Sequence, residues 1–173
     1  EHKIYEIPYI LASHFPMNIH LLYTVGLLLK DESVAKLLNF ALGIYGIVAL
    51  FIFSRKYFSI STGMLSIILF TTIPIVLFVS SRTSVELGLT LWEFLAVFSM
   101  INWIHTEEKN WFILGSIFGG LAVGSKYTSA SCVIGLSVSI SIFLLFFNRK
   151  KLKLLPGYLV SFGIIVFILL SPW

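Results

Sequence analysis

Long apolar stretches separated by short polar turns constrain this sequence more than any other feature. Residues 34–53, 60–79, 87–104, 111–124, 128–147 and 154–170 are dominated by Leu, Ile, Val, Phe and Ala, and charge falls almost entirely between them. A helix needs about 20 apolar residues to cross a bilayer core. In lipid every backbone N–H and C=O must be satisfied internally, which a helix does by itself. Only 12% of the 173 residues are charged and 58% are hydrophobic, whereas a soluble domain has about 25% charged residues. So few charges do not cover a water-facing surface. The expectation is an all-α, polytopic transmembrane helix bundle, with six spans over residues 34–173.

Residues 1–33 read differently. Pro8 and Pro16 break the stretch, and the apolar run at 17–29 is 13 residues long. That is too short to span, so the segment is read as an outer-loop piece with an interfacial helix before the first span. Lys30, Asp31, Glu32 and Ser33 end that helix, with Ser33 as the expected N-cap of the next. Pro74 predicts a kink in the second span. Gly115, Gly119, Gly120 and Gly124 form small-residue spacings that predict close helix packing. No signal peptide is visible at Glu1–His2–Lys3, and the chain leaves an apolar run at Trp173. It is therefore expected to be a piece of a larger membrane protein.

The formal charge of +4 comes from clusters between apolar runs; nucleic-acid binding needs a continuous basic stripe instead. The lone Cys132 excludes a disulfide framework or a cysteine-based metal site within the chain. Walker, GxSxG and HExxH motifs are absent.

Loop charge then orients the bundle. Arg55, Lys56, Lys109, Arg149, Lys150, Lys151 and Lys153 occupy alternate loops, against Arg82 and Lys126 in the others, seven against two. Lys and Arg concentrate in cytoplasmic loops, so the turns bearing Arg82 and Lys126 belong at the outer face with the N-terminal segment. The turn at 80–88 holds one cation, Arg82, and one acid, Glu86. With Lys126 and Tyr127 it places ionisable groups on one side of the membrane, under a segment carrying His14 and His20. Such groups in a membrane protein usually face a cavity or a partner. The plainer alternative is that Arg82 and Lys126 snorkel to lipid headgroups and Glu86 caps its helix. His14 and His20 are six residues apart, on different helix faces, and make a poor metal pair. Glu93, seven residues beyond Glu86 on the same face, has a bland reading too, as a partner of Asn102 or of neighbouring backbone.

Several segments resemble one family. The stretch Tyr9 to Tyr23, then Ser54-Arg55-Lys56-Tyr57-Phe58-Ser59, Thr72-Ile73-Pro74, the acidic turn ending at Glu86, Gly119-Gly120-Leu121-Ala122-Val123-Gly124-Ser125-Lys126-Tyr127-Thr128 and the closing Ser171-Pro172-Trp173 are similar to bacterial glycosyltransferases related to protein O-mannosyltransferases (glycosyltransferase family 39, GT-C superfamily). The resemblance implies the GT-C fold and inverting transfer of a sugar from a polyprenyl-phosphate donor at the outer face of the bacterial cytoplasmic membrane, in the service of the cell envelope. It implies a lipid-linked sugar donor and a glycan, lipid or protein acceptor, with no nucleic acid. The family's principal acid is an aspartate in the first outer loop. This chain begins downstream of it, and neither Glu1 nor Glu6 takes its place. Glu86 stands at the second acidic position, where it holds a metal, orients the acceptor or structures the turn; a divalent metal is left open. Lys126 matches a lysine near the donor phosphate, with Arg82 and Tyr127 in support. A piece lacking the first span and the C-terminal part is expected to be inactive alone.

The rival reading is a non-enzymatic multi-pass protein, a transporter segment or structural subunit. Transporters place charges and broken helices near the midplane, often in repeated halves. Here most charges sit at helix ends and no internal repeat is detectable.

Overall fold

The computed structural model describes residues 16–146 and 153–172. Eight α-helices occur among them: α1 (Asn18–Leu29), α2 (Glu32–Tyr57), α3 (Ile60–Thr72), α4 (Pro74–Ser80), α5 (Val85–Thr106), α6 (Lys109–Val123), α7 (Ala130–Phe146) and α8 (Leu155–Leu170). A 3-10 turn, Tyr127–Ser129, leads into α7. No strand occurs among the described residues. The chain is an all-α polytopic helical bundle.

Among the described residues, three segments are long and apolar enough to cross a membrane: α2, α5 and the continuous stretch Tyr127–Phe146. Helices α3 and α4 qualify together as a broken pair bent by 70°, while α6 and α8 have 15 and 16 residues. The break has a local cause. Ile73 sits at φ −67° and ψ 120°, the extended conformation that a following proline ring imposes. Pro74 then opens α4, where its missing N–H costs nothing. The kink expected from Pro74 is therefore a full break between two helices.

The caps refine the expected boundaries. Helix α2 is capped by Asp31, whose carboxylate accepts from the Ser33 N–H at 2.9 Å. The cap is Asp31 rather than Ser33 because Asp31 keeps an extended backbone while Ser33 is already helical. Ser59 caps α3 by accepting from Thr62 N–H at 3.1 Å. Ser84 caps α5, which leaves Glu86 as an acid in the first turn rather than the cap itself.

Helix α5 is the axis of the bundle. It packs on α2 and α6, α6 packs on α8, and α1 lies across α2. Half of α5's apolar window is buried, against 22% for α2 and for Tyr127–Phe146, so the outer helices keep broad apolar faces. Leu37, Tyr45, Leu69, Ile75 and Phe167 are all exposed on those faces, which suits lipid and not water. The core between α5, α6, α7 and α8 centres on Trp103, Phe112, Tyr158 and Phe162. The Trp103, Phe112 and Tyr158 rings lie 5.0 to 5.2 Å apart in tilted and edge-on contacts.

Small residues on α6 let this packing close. A methyl group on Gly120 would meet Leu169 Cδ1 at 2.8 Å and the Val166 Cα at 3.2 Å, so α8 approaches α6 by backbone at that point. Gly115 faces Met100 on α5 at a comparable distance. Substituting Gly120→Ala should therefore lower stability by about 1–3 kcal/mol. Gly135→Ala on α7, where a methyl meets nothing within 4 Å, should leave it within about 0.5 kcal/mol. Thermal unfolding of the two variants in detergent checks the contrast, and equal midpoints would contradict the packing.

Candidate functional site

One end of the bundle collects the polar groups that the apolar helices exclude. Its construction starts from Asn39, set in the apolar run of α2 and fully buried. A buried amide costs free energy unless its hydrogen bonds are made. Asn39 Nδ2 donates to Val79 O at 2.8 Å and to Arg82 O at 2.5 Å. Its Oδ1 accepts from the Tyr23 hydroxyl of α1 at 2.8 Å, and that hydroxyl also lies 2.6 Å from Ser84 O. The three carbonyls belong to the end of α4 and the turn to α5, where a helix C-terminus leaves C=O groups without intrahelical partners. Asn39 adds side-chain donors to carbonyls that the turn's own N–H groups also reach, Arg82 N–H to Val79 O at 3.4 Å and Ser84 N–H to Arg82 O at 3.1 Å. The single Tyr23 hydroxyl proton is shared between Asn39 Oδ1 and Ser84 O.

The turn so held aims the start of α5. Ser84 Oγ accepts from the Glu86 N–H at 3.4 Å, and the positive end of the helix favours a carboxylate in this first turn. Glu86 Oε1 accepts from Lys126 Nζ at 2.9 Å, an ion pair whose side chains are 49% and 43% exposed. The structure thus brings together the acid and the lysine singled out in the sequence, across 40 residues.

Lys126 is placed by the end of α6. Gly124, Ser125 and Lys126 wind down the helix with N–H donors to Gly120 O at 2.8 Å, Ala122 O at 3.0 Å and Ala122 O at 3.1 Å. Ser125 Oγ bonds Leu121 O at 2.7 Å. The Asn18 N–H, at the start of α1, donates to Gly124 O at 3.0 Å. Gly124 leaves room here: a methyl group on it would overlap the Asn18 side-chain carboxamide and press on the Leu169 carbonyl oxygen at 3.0 Å.

The other expected residues take different places. Arg82 shares the turn, but its guanidinium stacks 4.0 Å above the Phe78 ring, so Glu86 pairs with Lys126 and not with its sequence neighbour. Tyr127 is half-exposed beside Lys126. His20 is exposed on α1, and His14 lies outside the described residues. Glu93 is partly buried on α5. Asn102, its expected partner, instead accepts from Tyr57 OH at 2.9 Å and from Lys56 Nζ at the opposite end of the bundle. No group of three or more His, Cys, Asp or Glu side chains that could hold a metal occurs among the described residues.

Two apolar cavities of about 150 and 120 Å³ lie among α2, α3, α4 and α5. They share Gly43, Phe70 and Leu87, and reach from the first turns of α5 toward the α3–α4 break. Tyr23 and Asn39 were not among the residues expected to form the site. A carboxamide inside an apolar span has to find partners, but nothing local to Asn39 or Tyr23 names the distant carbonyls they meet.

The exposed ion pair contributes roughly 0–1 kcal/mol, so it does not hold the fold. Both charged side chains remain half-exposed at one end of the bundle. These features define an integral membrane protein with a charged site at one end of its bundle. The chain belongs to the dolichyl-phosphate-mannose-protein mannosyltransferase family, whose model matches residues 14–173. This family comprises membrane glycosyltransferases of the GT-C type. No curated protein and no solved structure matches the chain.

The brace is testable. Asn39→Leu strips donors from the Val79 and Arg82 carbonyls and should cost about 1–3 kcal/mol of stability, read from unfolding in detergent. Burial raises the Tyr23 pKa from 10.0 to about 12. The folded state therefore holds this proton more tightly, so its contribution is complete below pH 10 and is lost as pH rises through about 12. Tyr23→Phe should flatten that alkaline loss, and an unchanged slope would contradict the assignment.

Proposed function

We propose that the charged end of this bundle handles a polyprenyl-phosphate-linked sugar and takes part in its inverting transfer to an acceptor at the outer face of a bacterial cytoplasmic membrane. The observation that carries the reading is the Glu86–Lys126 pair at 2.9 Å, whose two turns are both joined to α1. The loop-charge bias, with Lys and Arg gathered at the other end, supports the outward orientation. Six crossings, with residues 1–33 as an outer-loop segment, remain the proposed topology.

In this reaction an acceptor oxygen attacks the anomeric carbon while the bond from that carbon to the phosphate oxygen breaks. The electron pair leaves with the polyprenyl phosphate. Lys126 meets that phosphate and stabilises the charge that develops on it, where a positioned cation counts for more than in water. Arg82 and Tyr127 support the phosphate from the two turns. The acceptor's proton passes to a carboxylate; the principal one in this family is an aspartate for which no position here is proposed. Glu86 is the secondary acid and orients the acceptor. A phosphate oxygen competes with Glu86 for the same ammonium, so donor binding releases the carboxylate toward the acceptor. The shared apolar wall of Gly43, Phe70 and Leu87 suits the first isoprene units.

Radiolabelled sugar transfer by the whole natural protein in membranes tests the assignment. Lys126→Ala and Glu86→Gln should each lower the rate by about a hundredfold or more, with membrane insertion unchanged. Wild-type rates in both variants would defeat it.

A further inference from the structure

Helix α1 touches both turns that carry the site. Its first-turn Asn18 N–H donates to Gly124 O at 3.0 Å, two residues before Lys126. Its Tyr23 hydroxyl bonds Ser84 O at 2.6 Å, two residues before Glu86. The first contact joins an unsatisfied N–H at one helix N-terminus to a carbonyl at another helix's C-terminus, so each end satisfies the other. The second joins a buried phenol to the carbonyl of the residue that caps α5. Five residues of helix separate the two anchors, a rise of about 7.5 Å. One rigid element therefore spaces the acid from the lysine.

The fit leaves little slack. Ile19, between the anchors, and Tyr23, at the second of them, are buried. Ile19 packs closely over Gly88 on α5, where a methyl would meet Ile19 Cδ1 at 2.8 Å and Leu42 Cδ1 at 3.0 Å. Gly26 makes the same allowance for α2, with the Ala35 backbone N at 3.0 Å. The ion pair, being half-exposed, is too weak to set its own geometry.

We propose that α1 is a positioning brace, with Tyr23 and the Asn18–Gly124 contact as the positioning elements that hold Glu86 and Lys126 at working separation. The proposal rests on the glycosyl-transfer reading for its consequence, and on geometry alone for its mechanism. Neither residue needs to touch a reacting atom.

Two readouts separate these layers. The first is geometric. In whole protein with Cys132→Ser, Glu86→Cys and Lys126→Cys, a short bifunctional thiol reagent should bridge the two new thiols. Adding Tyr23→Phe or Gly124→Ala should slow the bridging several-fold, and Tyr45→Phe on the exposed face of α2 should not. The second is kinetic, with residues 86, 126 and 132 native. Tyr23→Phe should lower kcat about tenfold, as misplacement of reacting groups does, with the KM for the polyprenyl-phosphate sugar within about twofold. Gly124→Ala should do the same through the other anchor. Unchanged bridging in both variants overturns the brace, whatever the kinetics. Slower bridging with native kcat overturns the catalytic consequence. Slower bridging in a protein whose native form transfers no sugar upholds the brace and removes the glycosyl-transfer reading.

Discussion

The organisation of this bundle depends on one amide. Asn39 lies in an apolar helix with no exposure to solvent, and its two N–H groups are committed to the carbonyls of Val79 and Arg82. In a low-dielectric surrounding neither the amide nor the carbonyls can be left alone, so α2 and the α4–α5 turn fix each other. Tyr23 extends the arrangement to α1, and Asn18 extends it to the end of α6. A site assembled from four separate segments thus rests on a handful of hydrogen bonds, while apolar packing supplies the bulk around them. The opposite end repeats the device, with Asn102 taking Tyr57 and Lys56.

Much of this was legible in the residues. The apolar runs between charged turns gave the helical class, Pro74 gave an interruption at its own position, and the glycines of α6 gave close helix packing, though not its partner α8. That Glu86 and Lys126 share one end followed from placing both turns there, while their direct pairing at 2.9 Å did not. The angle at Ile73 was not legible, because a proline before an apolar run is compatible with a mild kink or a full break. The fate of Arg82 was not legible either: its neighbour Glu86 and the ring of Phe78 are equally near in sequence, and only the direction of the turn decides. Asn39 and Tyr23 were missed for a related reason. Each is an ordinary residue alone, and their meaning lies in carbonyls about 40 to 60 residues away, which no local pattern reveals.

The chemistry follows from how the charges are left. A buried ion pair would be costly to open, whereas this one is exposed enough to exchange partners. On the proposed reading, an anionic ligand arriving at Lys126 would gain an ammonium and set a carboxylate free in one event. That exchange suits transfer from a lipid-borne phosphate, where the cation is needed at the leaving group and the acid near the acceptor.

Equilibrium binding of polyprenyl phosphate to the whole protein in nanodiscs tests this exchange most directly. The account predicts that Lys126→Ala weakens binding by about tenfold, the range of a charge-assisted contact. It also predicts that Glu86→Gln, which removes the competing carboxylate, tightens binding by a few-fold, in line with the roughly 1 kcal/mol upper range of an exposed pair. Affinities that do not move in either variant, or that weaken equally in both, would contradict it.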